Sequence, residues 1–276
     1  MKTILYCFTI LLLVATAAHA RDLYPLDNAF REDSTSISER VALLKSLGYP
    51  GIVTEQKTYT EEWGRALKEE GLDIYATYLV LKPGKKGIPV PAAFLDHIAL
   101  FAGTDTQIWV TVAKHKKFEA DESAVLEAIV TVADAAKASG LKTVIYPHYS
   151  FHTDTMETVL RLAGSANRKD LGVAFTLCHY LKQENPDQLE SALRTAAPHL
   201  MAVQVNGADT HGKSTGDWTR LIMPLDQGDF DMQRVLDTLD AIGYPGAVTL
   251  QCFGLGVGAE DHLPRSAQAW NTITAQ

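Results

Sequence analysis

Short β-branched runs alternate with amphipathic stretches along nearly the whole chain. Val41, Leu44 and Leu47 share one face of a helix that Ser34–Ser38 can cap, and Gly48-Tyr49-Pro50-Gly51 stops it before a strand at Ile52–Thr54. Thr60 caps a helix over Glu61–Glu70, Gly71 ends it, and Leu72–Leu81 reads as the next strand. The same rhythm predicts a helix over Pro89–Ala102, a strand over Ile108–Ala113, and a long helix over Asp121–Ser139. In that helix Val125, Leu126, Ile129 and Val132 recur at helical spacing. Strands follow at Thr143–Tyr146, Gly172–Thr176 and Leu200–Val205, separated by helices over Thr153–Ala166 and Pro186–Ala197. A helix over Met232–Ile242, a strand over Ala247–Leu250 and a helix over Pro264–Thr274 close the chain.

With a first strand near Leu23–Phe30 the count reaches about eight strands, nearly all separated by helices. That is the pattern of an α/β fold whose parallel sheet closes into a single (β/α)8 TIM barrel. An internal echo marks two helix-to-strand joints: Leu47-Gly48-Tyr49-Pro50-Gly51-Ile52-Val53-Thr54 recurs as Ile242-Gly243-Tyr244-Pro245-Gly246-Ala247-Val248-Thr249. An open doubly wound sheet competes with the barrel, but no glycine-rich phosphate loop follows the first strand. No linker or composition break divides residues 21–276, which read as one barrel domain.

The first twenty residues have a different character. Met1-Lys2 is followed by an almost wholly apolar run from Ile4 to Ala17, then by Ala18-His19-Ala20. This is the pattern of a cleaved signal peptide over residues 1–20, too short to serve comfortably as an anchor, and it predicts a periplasmic or secreted protein. The whole chain carries a net charge of −8, and losing residues 1–20 removes Lys2 and no acid. With no basic run, neither nucleic acid nor an anionic membrane is expected as a partner once the leader is gone. Cys7 leaves with the leader, so only Cys178 and Cys252 remain.

The segment Pro224-Leu225-Asp226-Gln227-Gly228-Asp229-Phe230-Asp231, then a helix, then Gly243-Tyr244-Pro245-Gly246 and a strand, is the most specific motif in the chain. It resembles the end of the xylose isomerase-like barrels of the sugar isomerase and epimerase superfamily. The likeness extends by motif over about Leu141–Gln251. It implies a divalent metal at the barrel top, held by Glu, Asp, His and Glu from strands five to eight, because a hard dication needs anionic oxygens. Here those positions fall on Tyr146 or Pro147, Thr176, Gln204 and Gln251, all neutral. No cofactor is therefore expected at them, and no metal-ligand residue is assigned.

The resemblance makes His179 a substrate contact and places His148 in a contact region, so both are candidate catalytic residues. Alternation along the strands, set by Thr176, Gln204 and Gln251, also turns Tyr146, His148, Cys178 and Asn206 toward the axis and Cys252 outward, which separates the two cysteines. Tyr146, Thr176, Gln204, Asn206 and Gln251 are candidate substrate-binding residues, offering donors and acceptors for sugar hydroxyls. Glu55 is the nearest carboxylate for a general base, although the turn echo makes Gln56 the inward equivalent. Lys114, ending strand four, is a candidate for steadying an enolate, against the plainer reading of a solvated Lys114-His115-Lys116-Lys117 loop. Trp109 and Tyr78 read as core; His152 and His211 sit in loops without a role.

Three readings stand side by side. One is a sugar isomerase or epimerase-like enzyme, moving a proton next to the carbonyl of a neutral sugar or keto-sugar in isomerisation, epimerisation or elimination. Another is a non-catalytic carbohydrate-binding barrel. The third is a metal enzyme with ligands shifted to His148, His179 and Glu55. In each the partner is a small carbohydrate. Export is checked directly: N-terminal sequencing of exported material is expected to begin at Arg21, and a start at Met1 would remove the leader.

Overall fold

A computed structural model describes residues 21–210 and 217–275; the leader and His211 lie outside them. Eight parallel strands carry the fold: β1 (Leu23–Pro25), β2 (Gly51–Glu55), β3 (Asp73–Leu81), β4 (Gln107–Val112), β5 (Thr143–Ile145), β6 (Leu171–Thr176), β7 (Leu200–Val205) and β8 (Val248–Leu250). Each pairs with its sequence neighbour from β2 to β8, and β8 pairs with β1. A single parallel bridge, Leu26 to Val53, joins β1 to β2 and closes the circle. The chain is a (β/α)8 barrel.

Outside the sheet lie α1 (Ile37–Ser46), α2 (Glu61–Glu69), α3 (Ala92–Ala99), α4 (Glu122–Ala138), α5 (Met156–Ala166), α6 (Leu177–Gln183), α7 (Leu189–Ala196), α8 (Gln233–Ala241) and α9 (Ala259–Thr274). Four of them are capped at their starts by the side chain of the N-cap residue, which satisfies an otherwise orphaned amide. Ser36 accepts from the Glu39 amide, Thr60 from Trp63, Asp121 from Ala124 and Thr155 from Thr158.

Two apolar layers follow from strand alternation. The outer one lies between sheet and helices and contains Ile52, Ile108, Val173, Val203 and Val248. The inner one fills the barrel with Tyr24, Val53, Trp109, Val144 and Tyr146, and with Ala76, Ala174 and Ala202. The alanines leave room for the large rings, since interiors pack to near-crystalline density. Trp109 stacks on Tyr146 with ring centroids 5.5 Å apart, and this pair floors the barrel mouth.

Four elements differ from the sequence reading. The first strand stops at Pro25, and Asp27–Phe30 forms a 3-10 turn. Strand β6 passes straight into α6, so Cys178 lies in a helix and not on an inward strand position; it and Cys252 are buried free thiols. The last helix begins at Ala259, because Asp33 accepts a hydrogen bond from the Ala259 amide and caps it from the far end of the chain. The echo also misleads about phase. Val53 points into the barrel and Val248 away from it, and a register shift in the β2–β3 pair sits between Ile52 and Val53. Alternation from Val53 makes Glu55, not Gln56, the inward residue.

The loop after β7 is pinned by close backbone approach. Gly207 exchanges hydrogen bonds with Met223, and a Cβ there would run into the Pro224 and Gln227 carbonyls. Gly207→Ala is expected to lower stability by about 1–3 kcal/mol, the usual cost of forcing extra volume into packed surroundings. A urea midpoint equal to wild type would show that this loop yields.

Candidate functional site

The strand ends deliver a connected arc of polar side chains to the C-terminal mouth of the barrel. Its polarity is set by groups that can only donate. The backbone N–H groups of Cys252 and Phe253 donate to Gln251 Oε1 at 3.0 and 3.1 Å, which turns Gln251 Nε2 toward Gln204. Gln251 Nε2 donates to Gln204 Oε1 at 3.3 Å, and the Tyr146 hydroxyl donates to the same oxygen at 2.5 Å. Asn28 Nδ2 donates to Gln251 Oε1 at 2.8 Å. Burial, followed by the neighbouring Cys178 and Tyr78, drives the Tyr146 hydroxyl well above the ordinary phenol range, so it stays a donor.

These bonds leave specific atoms over. Asn28 Oδ1, Gln204 Nε2, Asn206 Oδ1 and His179 Nδ1 are enclosed with no hydrogen-bond partner among the described residues. Enclosed polar groups without partners are costly, so each is a place for a ligand to bind. Asn206 is held by donating to the Gly207 and Leu221 carbonyls at 2.8 and 2.6 Å.

The two histidines stand together. Their rings lie 4.2 Å apart, His179 meets the Tyr146 ring edge-on at 5.9 Å, and His148 stacks on Phe151 at 3.9 Å. Burial lowers the pKa of both, and for His179 the nearby His148 lowers it further, so both are neutral at neutral pH. His148 Nδ1 sits 2.9 Å from the Tyr149 carbonyl oxygen, which only accepts. The hydrogen is therefore on Nδ1, and Nε2 keeps its lone pair. Trp218 lies 5.6 Å from His179 and 5.7 Å from Tyr149, forming an aromatic wall beside the pair.

The other expected residues are placed differently. Thr176 is buried, but its hydroxyl donates to the Pro147 carbonyl at 3.0 Å and so positions the β5 loop. Glu55 is bound to Lys57 at 2.5 Å and Arg31 at 3.2 Å. Lys114 is half exposed and pairs with Asp154 at 3.4 Å. No contact among the described residues joins Glu55 or Lys114 to the histidines.

The arc does not fit a hard dication. The Gln251 oxygen already accepts three hydrogen bonds, the Gln204 oxygen accepts two, and the Gln204 amide nitrogen is an enclosed donor. No three His, Cys, Asp or Glu side chains come together as a metal group among the described residues, which includes His148, His179 and Glu55.

A model of the xylose isomerase-like TIM barrel matches residues 41–272. The chain belongs to that family. A search of curated proteins found no match. Among solved structures, this xylose isomerase-like barrel is similar to the 3-keto-D-glucoside 4-epimerase YcjR from E. coli, with 18% identity, 93% of this chain and 100% of that one covered, and a TM-score of 0.69. It is similar to the D-psicose 3-epimerase from Clostridium cellulolyticum H10, with 14% identity over 92% and 98% of the two chains and a TM-score of 0.69. It is also similar to the probable 3-DHS dehydratase AsbF from Bacillus anthracis, with 15% identity over 91% and 98% and a TM-score of 0.69. At these identities the likeness is one of fold.

Sequence reasoning missed Asp27, Asn28 and Trp218. The first two interrupt an apolar run with a polar pair, the one signal that the strand had ended. Asp27 Oδ2 accepts from the Glu55 amide at 3.0 Å and from the Thr58 hydroxyl, while Oδ1 is enclosed without a partner. Burial raises its pKa from 3.8 to about 6, against the lowering effect of those hydrogen bonds. A carboxyl whose folded pKa is raised contributes stability that is full below the unfolded value and lost as pH rises through the folded one. The gap corresponds to roughly 3 kcal/mol. Asp27→Asn is therefore expected to gain stability relative to wild type between pH 4 and pH 7, read from paired urea titrations. A pH-independent difference would contradict this.

Proposed function

We propose that this protein is an exported enzyme that moves a proton next to the carbonyl of a neutral sugar or keto-sugar. The observation that carries the reading is the set of four enclosed, unpartnered polar atoms on Asn28, His179, Gln204 and Asn206. They mix an N–H donor with carbonyl acceptors and an imidazole, the complement of vicinal hydroxyls, which donate and accept at once. None of the four carries a permanent charge.

His148 Nε2 takes the proton from the carbon beside the carbonyl. The C–H electron pair becomes the enolate double bond, and the carbonyl oxygen gains negative charge, which the Gln204 Nε2 hydrogen steadies. A proton delivered from solvent to the opposite face of the same carbon gives epimerisation, return of the proton to the neighbouring carbon gives isomerisation, and loss of a β-hydroxyl, which takes the proton from His148 and leaves as water, gives elimination. His179, neutral and in ring contact with His148, holds that ring in place. The family and the epimerases of like fold support this chemistry, and the leader over residues 1–20 supports export. No helix among the described residues is long and apolar enough to cross a membrane.

A non-catalytic sugar-binding barrel is favoured by one observation: burial depresses His179 so far that it is a poor proton acceptor. One experiment separates the readings. Calorimetry against a panel of neutral sugars and keto-sugars is expected to give a ligand whose binding weakens by about 1–3 kcal/mol in Gln251→Leu, the cost of stranding a buried partner. His148→Gln is expected to keep that binding but lose exchange of the sugar's carbon-bound hydrogen with deuterated water. No exchange by wild type leaves the binding protein; binding that ignores Gln251→Leu moves the site elsewhere.

A further inference from the structure

Behind the arc lies a second cavity of about 370 Å³, between the turn after β1 and helices α1 and α2. Asp27, Asn28, Arg31, Arg40, Thr58 and Thr60 supply its polar lining. We propose that this cavity binds a sugar acid, a polyhydroxylated molecule bearing one carboxylate.

The donors argue for the carboxylate. Among the described residues Arg40 donates through Nε alone, to the Thr35 carbonyl at 3.1 Å and its hydroxyl at 3.3 Å. Arg31 gives one terminal nitrogen to Glu55 at 3.2 Å, and Glu55 is itself bound to Lys57, so the local positive charge is not cancelled. Both guanidinium groups lie over aromatic rings, Arg31 over Phe253 at 4.6 Å and Arg40 over Phe30 at 5.4 Å from the ring centroid. A planar, pre-oriented guanidinium with free N–H groups is the geometry that grips a carboxylate. The lining itself carries two cations and one carboxyl, in a chain of net charge −8.

The acceptors argue for the hydroxyls. Asp27 Oδ1 and Asn28 Oδ1 are both enclosed without a partner, and both residues line the cavity. Simple anions bring them no hydrogen. A carboxylate carrying neighbouring hydroxyl groups serves both sets at once, and the volume admits a six-carbon molecule.

This cavity shares Asn28 with the arc and rests on residues outside the proposed proton transfer, and the test keeps the two apart. Calorimetry at low salt compares D-glucuronate and D-gluconate with D-glucose and acetate. At least one sugar acid is expected to bind tenfold or more tightly than both controls. Arg40→Gln is expected to lose at least tenfold of that affinity and Arg40→Lys part of it, with thermal midpoints confirming folding; should Arg40→Gln not fold, Arg31→Gln reads the same loss. Gln204→Leu is expected to leave sugar-acid binding unchanged while weakening neutral sugars at the arc. Glucose binding as well as the sugar acids overturns the charge argument, and acetate binding as well overturns the hydroxyl argument. Absence of sugar-acid binding, or its survival in the folded arginine variants, overturns the proposal whatever becomes of the arc.

Discussion

Two backbone N–H groups, those of Cys252 and Phe253, set the chemistry of the barrel mouth. They have no freedom to accept, so the Gln251 oxygen must face them. Every later orientation follows from that one: the Gln251 amide nitrogen meets Gln204, the Gln204 oxygen meets Gln251 and Tyr146, and the Gln204 nitrogen is left without a partner among the described residues. Glutamates at both positions would tolerate no such order. Two carboxylates in contact repel unless a cation or proton lies between them, whereas two amides lock through complementary ends. The neutral residues thus do more than leave out charge. They convert a place suited to a cation into one that presents an N–H.

The arc rests on the packing below it. Tyr146 reaches Gln204 because its ring lies on Trp109, and Trp109 is fixed by donating to Gln107 at 2.9 Å near the foot of the barrel. Small residues at Ala76, Ala174 and Ala202 accept these rings in the inner layer. Replacing one of those alanines by a larger residue would press the rings toward the mouth, so core volume and site geometry are one constraint.

What the sequence reveals and conceals divides by the range of the interaction. Strand and helix rhythm is local, and it showed the barrel and most of its elements. The inward phase of Tyr146, Gln204 and Gln251 was legible too, since these residues end clean alternating runs. The phase of β2 was not, because a register slip between neighbouring strands leaves no mark in one of them. Helix α6 was hidden by the absence of any turn after β6. Asn28 and Asp33 escaped notice because their partners, Gln251 and Ala259, are more than two hundred residues away.

Asn28 gives the mouth its last structural consequence. Its amide nitrogen grips Gln251, while its oxygen stays unpaired in a residue that also lines the second cavity. An amide cannot turn over without exchanging those two ends. Reversal would set the Asn28 oxygen against the Gln251 oxygen, which is already fixed by two backbone donors, and that arrangement is repulsive. The arc therefore dictates that the cavity sees an acceptor at Asn28. In the other direction, an occupant that donates to this oxygen holds Asn28 in the rotamer the arc requires.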